Sequence, residues 1–234
     1  MNLLKLILKT KIMKKSIKIL TVALLLIAYS SCKPQAVEKP TDTFKNQLSE
    51  TLTEINEAKN IQVIFENINK LKRLSTKYPN EWLSDYYITL LQIKLSMAAQ
   101  DEKKREALLN DANETLASLK EDENTMESEI LTLEGYYYYA LIAKDPQSNG
   151  QLYYKDVIGS YQKAIAIDKT NPRPALMLAI FQKKMSKFTG DENSDFCSKL
   201  SEIENLLASS TPENEVNPKW GIKELKTQQQ ESCR

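Results

Sequence analysis

The segment from Glu129 to Phe181 constrains the fold of this chain more than any other part of the sequence. Its apolar residues recur at intervals of three and four, which predicts a helix, a loop of about ten residues, a second helix, an Asn-Pro break and the start of a third helix. A single helix pair cannot bury its apolar face alone. The segment therefore predicts further helices stacked on either side of it.

The rest of the chain supplies these neighbours. Only 5 Gly and 8 Pro occur in 234 residues, too few for the turns of a many-stranded β fold. Four helical segments share an apolar element at positions i, i+4 and i+7. These elements are Ile61-Phe65-Ile68, Ala112-Leu116-Leu119, Val157-Tyr161-Ala164 and Phe196-Leu200-Ile203. We therefore predict an all-α superhelix over residues 43–234, with about three to four helix pairs and a C-terminal capping helix around Trp220 that covers the open end of the array.

The N-terminal residues predict export. Lysines between residues 14 and 18 precede an apolar run at 19–28, which is too short to span a bilayer of about 30 Å. Two serines then precede Cys32, and this pattern resembles a bacterial lipoprotein signal over residues 1–32, which implies that the Cys32 thiol is lipidated. The alternative is an ordinary signal peptide, or an uncleaved anchor, with an incidental cysteine.

Residues 33–42 contain two prolines and almost no apolar side chain, which predicts a flexible tether between the anchor and the folded domain. Anchor and tether together predict a periplasm-facing protein attached to a bacterial membrane, with the outer membrane favoured over the inner.

Charge and composition exclude several classes of function. Residues 1–32 hold six lysines and no acid, so the remainder carries 26 basic and 31 acidic residues, a net charge of −5. A nucleic-acid binder is expected to carry a basic face, so we predict no nucleic-acid partner. The absence of histidine removes Ser-His-Asp, Cys-His and HExxH sites. We predict a non-enzymatic protein without metal or cofactor; carboxylate-based catalysis is the third hypothesis, because the sequence places no pair of acids together.

Gly135, followed three residues later by a tyrosine, and the downstream segment YQKAIAIDKTNPRP resemble the tetratricopeptide repeat. In that family a small residue in the first helix of a pair lets the second helix pack closely. The resemblance gives this position to Gly135, and the aromatic and small positions of the second helix to Tyr161 and Ala164. It also makes Asn171-Pro172 the turn into the next repeat. The sequence departs from the family by the inserted segment AKDPQSNGQL and by Lys169 at the usual turn proline.

The wider pattern resembles an uncharacterised group of lipid-anchored repeat proteins of Bacteroidetes. The matching pieces are NEWLSDYY, LIAKDPQSNGQ, the turn from Asn171 to Pro174, and PKWG at residues 218–221. The resemblance covers roughly residues 60–225 and brings no catalytic residues with it.

A run of four tyrosines at residues 136–139 is the first candidate binding feature. Successive helical residues point about 100° apart, so the four rings cannot all face one core and at least one must be exposed or line a groove. In the tetratricopeptide family the ligand groove is lined by the first helix of each pair. By position, this maps to Glu129, Thr132, Tyr136 and Tyr139. The favoured alternative is that the tyrosines, taken as a set, pack against the inserted loop and neighbouring helices.

The inserted segment is the second candidate, with Asp145, Gln147, Ser148 and Asn149 as its polar residues. A long loop on a rigid scaffold often carries function. The favoured alternative is a turn in which an Asn or Ser caps the helix that follows.

Cys197 and Cys233 remain after Cys32 is assigned to the anchor. In an exported protein, two such cysteines predict one disulfide, which would tie the C-terminal tail to the last long helix. The alternative is two free thiols.

From these features we predict a membrane-anchored interaction scaffold of the cell envelope that binds a protein or peptide in a tetratricopeptide groove. The alternative is a lipoprotein that binds a small molecule or a glycan in a tyrosine-lined pocket.

Overall fold

A computed structural model of the protein describes residues 42–190, 195–210 and 215–233. The predicted signal peptide, Cys32 and the tether up to residue 41 lie outside these ranges. Within them, no helix combines the length and the apolar character needed to cross a membrane.

Nine α-helices, and no β-strand, form the described part of the chain. They are α1 (Asp42–Asn56), α2 (Ile61–Lys77), α3 (Leu83–Ala98), α4 (Glu102–Glu121), α5 (Glu127–Lys144), α6 (Pro146–Ile167), α7 (Pro172–Thr189), α8 (Phe196–Ser209) and α9 (Ile222–Ser232). The predicted all-α helical-repeat class is confirmed, with four helix pairs and one additional C-terminal helix.

The helices pack in chain order, each against the next through α8 and α9, and α3 also contacts α5 while α5 contacts α7. We call α3, α5 and α7 the inner layer. The core elements predicted in α4, α6 and α8 are buried. In α2, however, Ile61 is 49% exposed, because it is the first residue of its helix.

Several helix starts are fixed by side chains that the sequence places just before them. Such residues accept a hydrogen bond from an otherwise unpaired backbone N–H of the first turn, and this stabilises the helix start by about 1 kcal/mol. The acceptors are Asn60 before α2, Asp101 before α4, Asp145 before α6 and Asn171 before α7.

The ten-residue loop predicted between α5 and α6 is not present. Helix α5 ends at Lys144 and α6 begins at Pro146, where proline is tolerated because the first turn needs no N–H donor. Asp145 lies between the two helices, and its Oδ1 accepts the Ser148 N–H at 3.1 Å. The cap is therefore an aspartate, and the Asn or Ser cap that the sequence predicted is wrong. Asn149 instead donates from Nδ2 to the carbonyl of Leu141 at the end of α5, at 2.7 Å.

The segment Glu215–Gly221, which we call the strap, departs from the predicted cap over the open end of the array. Val216 O accepts a hydrogen bond from Tyr87 Oη of α3 at 2.9 Å, and the Trp220 ring stacks on Tyr136 of α5. Gly221, at φ +121°, lies close enough to α7 that an added Cβ would sit 3.4 Å from Leu176 Cδ2. The strap therefore crosses the inner layer, where Trp220 is partly buried against the aromatic rings of α3 and α5.

Candidate functional site

A buried polar network lies beneath the strap and links it to all three inner helices. Its centre is the carboxylate of Glu129, which is fully buried and ion-paired with Arg173 of α7, whose Nε lies 2.7 Å from Oε1. Asn171 Nδ2 also donates to Oε1 at 2.7 Å, and Tyr86 Oη donates to Oε2 at 2.5 Å. Trp220 Nε1 in turn donates to Tyr86 Oη at 2.8 Å.

The protonation states of this network follow from burial and charge. Burial, and then the negative charge of Glu129, raise the pKa of Tyr86 well above its ordinary value, so its hydroxyl stays a donor. Burial by itself would lower the pKa of the Arg173 guanidinium. The negative charge of Glu129 and its hydrogen bonds outweigh this effect, so the pKa of Arg173 is raised above its ordinary value. The network is therefore a charge pair with hydrogen-bonded neighbours, and its polar atoms are already engaged.

This arrangement corrects the predicted groove. Glu129 and Thr132 have no exposed surface, and Thr132 Oγ1 donates back to the Ser128 carbonyl at 2.6 Å. Tyr136 is 9% exposed and lies under Trp220, while Tyr139 is half-buried with its ring edge-on to Phe181. The four positions lie on one side of α5, where Trp220 of the strap covers Tyr136, and the buried Glu129 and Thr132 do not line an open groove.

The other two tyrosines of the run point away from the strap. Tyr137 and Tyr138 are half-buried and border a pocket of about 210 Å³ between α4 and α5. The Tyr138 ring stacks on Tyr153 of α6, with ring centres 5.6 Å apart. The tyrosine run thus divides between two sides of α5.

The four loop candidates lie at the start of α6. Asp145 is the helix cap, and the hydrogen bonds from Ser148 lower the pKa of its carboxyl. Asn149 reaches the end of α5, and Gln147 lies in the first turn of α6. These residues join two helices and do not border the clefts described next.

A cleft of about 500 Å³ opens between α1, α3 and the strap. The two helices form one wall from apolar side chains together with Ser49, Thr53 and Asn56 of α1, and the strap with the start of α9 forms the other. The apolar and aromatic lining residues are Leu52, Ile55, Tyr87, Leu90, Leu91, Trp220 and Ile222.

Charged side chains lie on the strap side of this cleft. Lys94 Nζ pairs with Glu224 Oε1 at 2.5 Å and lies 5.2 Å from the centre of the Trp220 ring. Burial opposes ionisation of Glu224, but Lys94 outweighs it and the pKa of that carboxyl is lowered. Lys219 and Lys223 are exposed and form no ion pair with another described residue. The cleft thus offers an apolar floor and a rim with two available cations, beside the acidic Glu215.

A second cleft, of about 490 Å³, lies on the other side of the strap, against α7 and α8. Arg173, Leu207 and Pro218 border it, and Lys219 and Ile222 border both clefts. The strap is thus the partition between two concave surfaces.

The sequence pointed to α5 and missed the cleft beside α1 and α3. Some of its lining residues lie in the segments NEWLSDYY and PKWG noted in the sequence, but Trp220 was assigned to an end cap and none was assigned to a binding site. The signal that marks the strap is PKWG at residues 218–221, where a tryptophan follows a polar, proline-containing linker. Large aromatic residues in such a linker need a surface to bury against.

The remaining site predictions concern cysteine and metal. Cys197 and Cys233 are joined by a disulfide, which ties α8 to the end of α9. Among the residues that the structure describes, no group of three or more Cys, Asp or Glu side chains is arranged to hold a metal ion.

No protein-family model matches the sequence, and no curated protein matches it either. Among solved structures, the fold is similar to the HusA haemophore from Porphyromonas gingivalis, with a TM-score of 0.62 and 15% sequence identity. The match covers 81% of this chain and 94% of that one. At this identity the similarity concerns the fold.

Proposed function

We propose that this chain is a non-enzymatic, lipid-anchored envelope protein that binds a small molecule with a flat apolar body in the cleft between α1, α3 and the strap. The observation that carries the proposal is the position of the strap. It occupies the inner-layer face that a peptide would need, and it leaves beside it a cleft of about 500 Å³. Small-molecule sites usually measure about 300–1,000 Å³ and are lined mainly by apolar and aromatic side chains.

Haem, or another porphyrin, is the first candidate ligand, because the similar structure is that of a haemophore and the lining has matching chemistry. Leucine and isoleucine side chains with the edge of Trp220 would contact the ring, and Lys219 and Lys223 would pair with carboxylates of the ligand. The lining holds no His, Cys or Met, and the hydroxyl of Tyr87 is already bonded to Val216. The protein would therefore hold the porphyrin by its ring and its carboxylates, without an axial side chain.

The test compares haem with metal-free protoporphyrin in an absorbance titration of the purified protein. We expect the two dissociation constants to agree within about threefold, because the iron contributes little. Leu91→Glu places a charge in the cleft and should weaken both ligands at least about tenfold. The matched control is Leu152→Glu, since Leu152 is 61% exposed on α6. Equal binding by the two variants would refute the assignment of the cleft.

Charge reversal on the rim tests the second part of the proposal. The pair Lys219→Glu and Lys223→Glu should weaken binding, and the loss should shrink as salt rises, because exposed charge pairs are screened. The same changes at Lys155 and Lys163, which are exposed on α6, should leave binding unchanged. A salt-independent loss would argue against carboxylate pairing.

A protein-binding scaffold is the second candidate, and the helical-repeat architecture favours it, because stacked helix pairs present extended surfaces for partners. Cross-linking in intact envelope, with and without excess porphyrin, separates the two functions. A partner whose capture is unaffected by porphyrin would support a scaffold that uses another face.

A further inference from the structure

We infer that the Cys197–Cys233 disulfide is a clasp that keeps the strap seated on the inner layer, and that its redox state sets the ligand affinity of the cleft beside α1 and α3. The second half of this inference rests on the proposed function, and the first half does not.

The strap and the start of α9 build an entire wall of the cleft. The lining residues from this part of the chain are Glu215, Asn217, Lys219, Trp220, Gly221, Ile222, Lys223 and Glu224. If the strap leaves the inner layer, α1 and α3 keep an apolar face but lose the opposing wall and the two rim lysines. The cleft therefore exists as a binding site only while the strap is seated.

A few specific contacts hold the strap to the inner layer. They include the hydrogen bonds from Tyr87 to Val216 and from Trp220 to Tyr86 and the stacking of Trp220 on Tyr136, and the ion pair of Lys94 with Glu224 adds a contact at the start of α9. Each is a contact between residues more than 80 positions apart in the chain, so local chain geometry does not enforce it. Seating the strap therefore depends on how firmly its C-terminal end is held.

Apart from the disulfide, helix α9, which continues the strap, is held by the Lys94–Glu224 ion pair and by polar contacts with α8. Its sequence is polar, and Leu225 is its single buried residue. Its contacts with α8 include an ion pair of Lys226 with Glu204, whose side chains are 52% and 35% exposed. Exposed pairs of this kind contribute little to stability. The Cys197–Cys233 bond, by contrast, fixes the end of α9 covalently to the start of α8 across a separation of 36 residues.

Both cysteines are partly buried against the core, and neither is fully enclosed, so a small dithiol can approach the disulfide from solvent. The co-reactant is a dithiol. One of its thiolates attacks a cysteine sulfur to form a mixed disulfide and release one cysteine thiolate, which takes up a proton; the second dithiol thiolate then displaces the other. Two electrons and two protons pass to the protein, and the dithiol leaves as its cyclic disulfide.

Reduction of the disulfide changes the affinity for the ligand, because it lowers the fraction of molecules in which the strap is seated. When only a fraction of molecules is competent to bind, the apparent dissociation constant rises by the inverse of that fraction. If the strap is seated in about one molecule in ten after reduction, ligand affinity falls about tenfold.

The experiment uses the full chain with Cys32→Ser, so that Cys197 and Cys233 are its only cysteines. Hydrogen exchange of residues 215–225 and protoporphyrin affinity are measured with and without dithiothreitol. The control adds Cys197→Ser and Cys233→Ser, and should behave like the reduced protein whether or not dithiothreitol is present. We expect reduction to accelerate exchange in 215–225 while α4 and α6 keep their protection, and to weaken protoporphyrin about tenfold.

The two measurements separate this inference from the proposed function. Unchanged exchange in residues 215–225 after reduction overturns the clasp. Faster exchange with unchanged protoporphyrin affinity overturns its control of the cleft. If neither form binds protoporphyrin, the proposed porphyrin ligand fails, and faster exchange on reduction still supports the clasp itself.

Discussion

The two sides of α5 differ more than their sequence suggests. The side beneath the strap carries Glu129 and Tyr136, which are buried and bonded to α3, α7 and the strap. The side toward α4 and α6 carries Glu134 and the half-buried pair Tyr137 and Tyr138. Each side of α5 thus carries a glutamate and at least one tyrosine. On the side beneath the strap these residues lie in the core, and on the side toward α4 and α6 they lie near solvent. The contrast shows that residue type says little about role until the covering element is known.

The largest expected effect comes from the two glutamates. Glu129→Ala leaves Arg173 buried without its partner and should lower the free energy of unfolding by about 3–5 kcal/mol. Glu134→Ala removes an ion pair whose Lys120 is 48% exposed and can be hydrated, and should cost about 1 kcal/mol or less. Urea denaturation of both variants measures the difference. An equal decrease in the free energy of unfolding for both variants would contradict the proposed difference between the two sides of α5.

Tyrosine truncation tests the same contrast with a single residue type. Tyr136→Ala should lower the free energy of unfolding by about 3–4 kcal/mol, since it empties the space beneath Trp220. Tyr137→Ala should cost about 1 kcal/mol or less. Thermal unfolding of each variant provides the measurement. An unchanged melting temperature for Tyr136→Ala would contradict the buried position of its ring and favour the groove that the sequence predicted.

Two glycines allow a comparison between a closely packed position and an open position on the helix surface. A Cβ on Gly135 would lie 2.6 Å from Cε1 of the buried Tyr161 ring, so Gly135→Ala should destabilise the protein by about 1–3 kcal/mol. Gly159 has no atom within 4 Å of an added Cβ, and Gly159→Ala should stabilise α6 by about 0.5–1 kcal/mol. Chemical denaturation should show a lower free energy of unfolding for Gly135→Ala and a higher one for Gly159→Ala. A change of the same sign in both variants would contradict the close contact between Gly135 and Tyr161.

Alkaline titration tests the same contrast through the protonation of the tyrosines. Burial foremost raises the pKa of Tyr86 and Tyr161 well above the unfolded value of about 10. Their stabilisation is fully present below about pH 10 and is lost as pH rises toward the folded pKa values, by about 1.4 kcal/mol per pH unit per tyrosine. Absorbance near 295 nm should show partly exposed tyrosines such as Tyr138 ionising first. Simultaneous ionisation of all tyrosines without unfolding would contradict the burial.

Much of the fold follows from the sequence. Helical spacing predicts the all-α class and the number of helix pairs, and the resemblance that assigns Gly135 and Tyr161 to a helix contact agrees with their positions. The loop between α5 and α6 was wrong because proline, serine and asparagine serve equally well in loops and in the first turn of a helix. Asp145 decided the outcome by capping α6 directly.

The sequence by itself determined the helices, because their signals lie within one or two turns of each residue: apolar spacing, caps and the few glycines and prolines. Only the tertiary structure decided which face stays open. Trp220 and Tyr86 are 134 residues apart, and Val216 and Tyr87 are 129 apart, so no local pattern pairs them. Those contacts lay the strap across the inner layer, bury Tyr136 of the predicted groove, and move the candidate site to the cleft at α1 and α3.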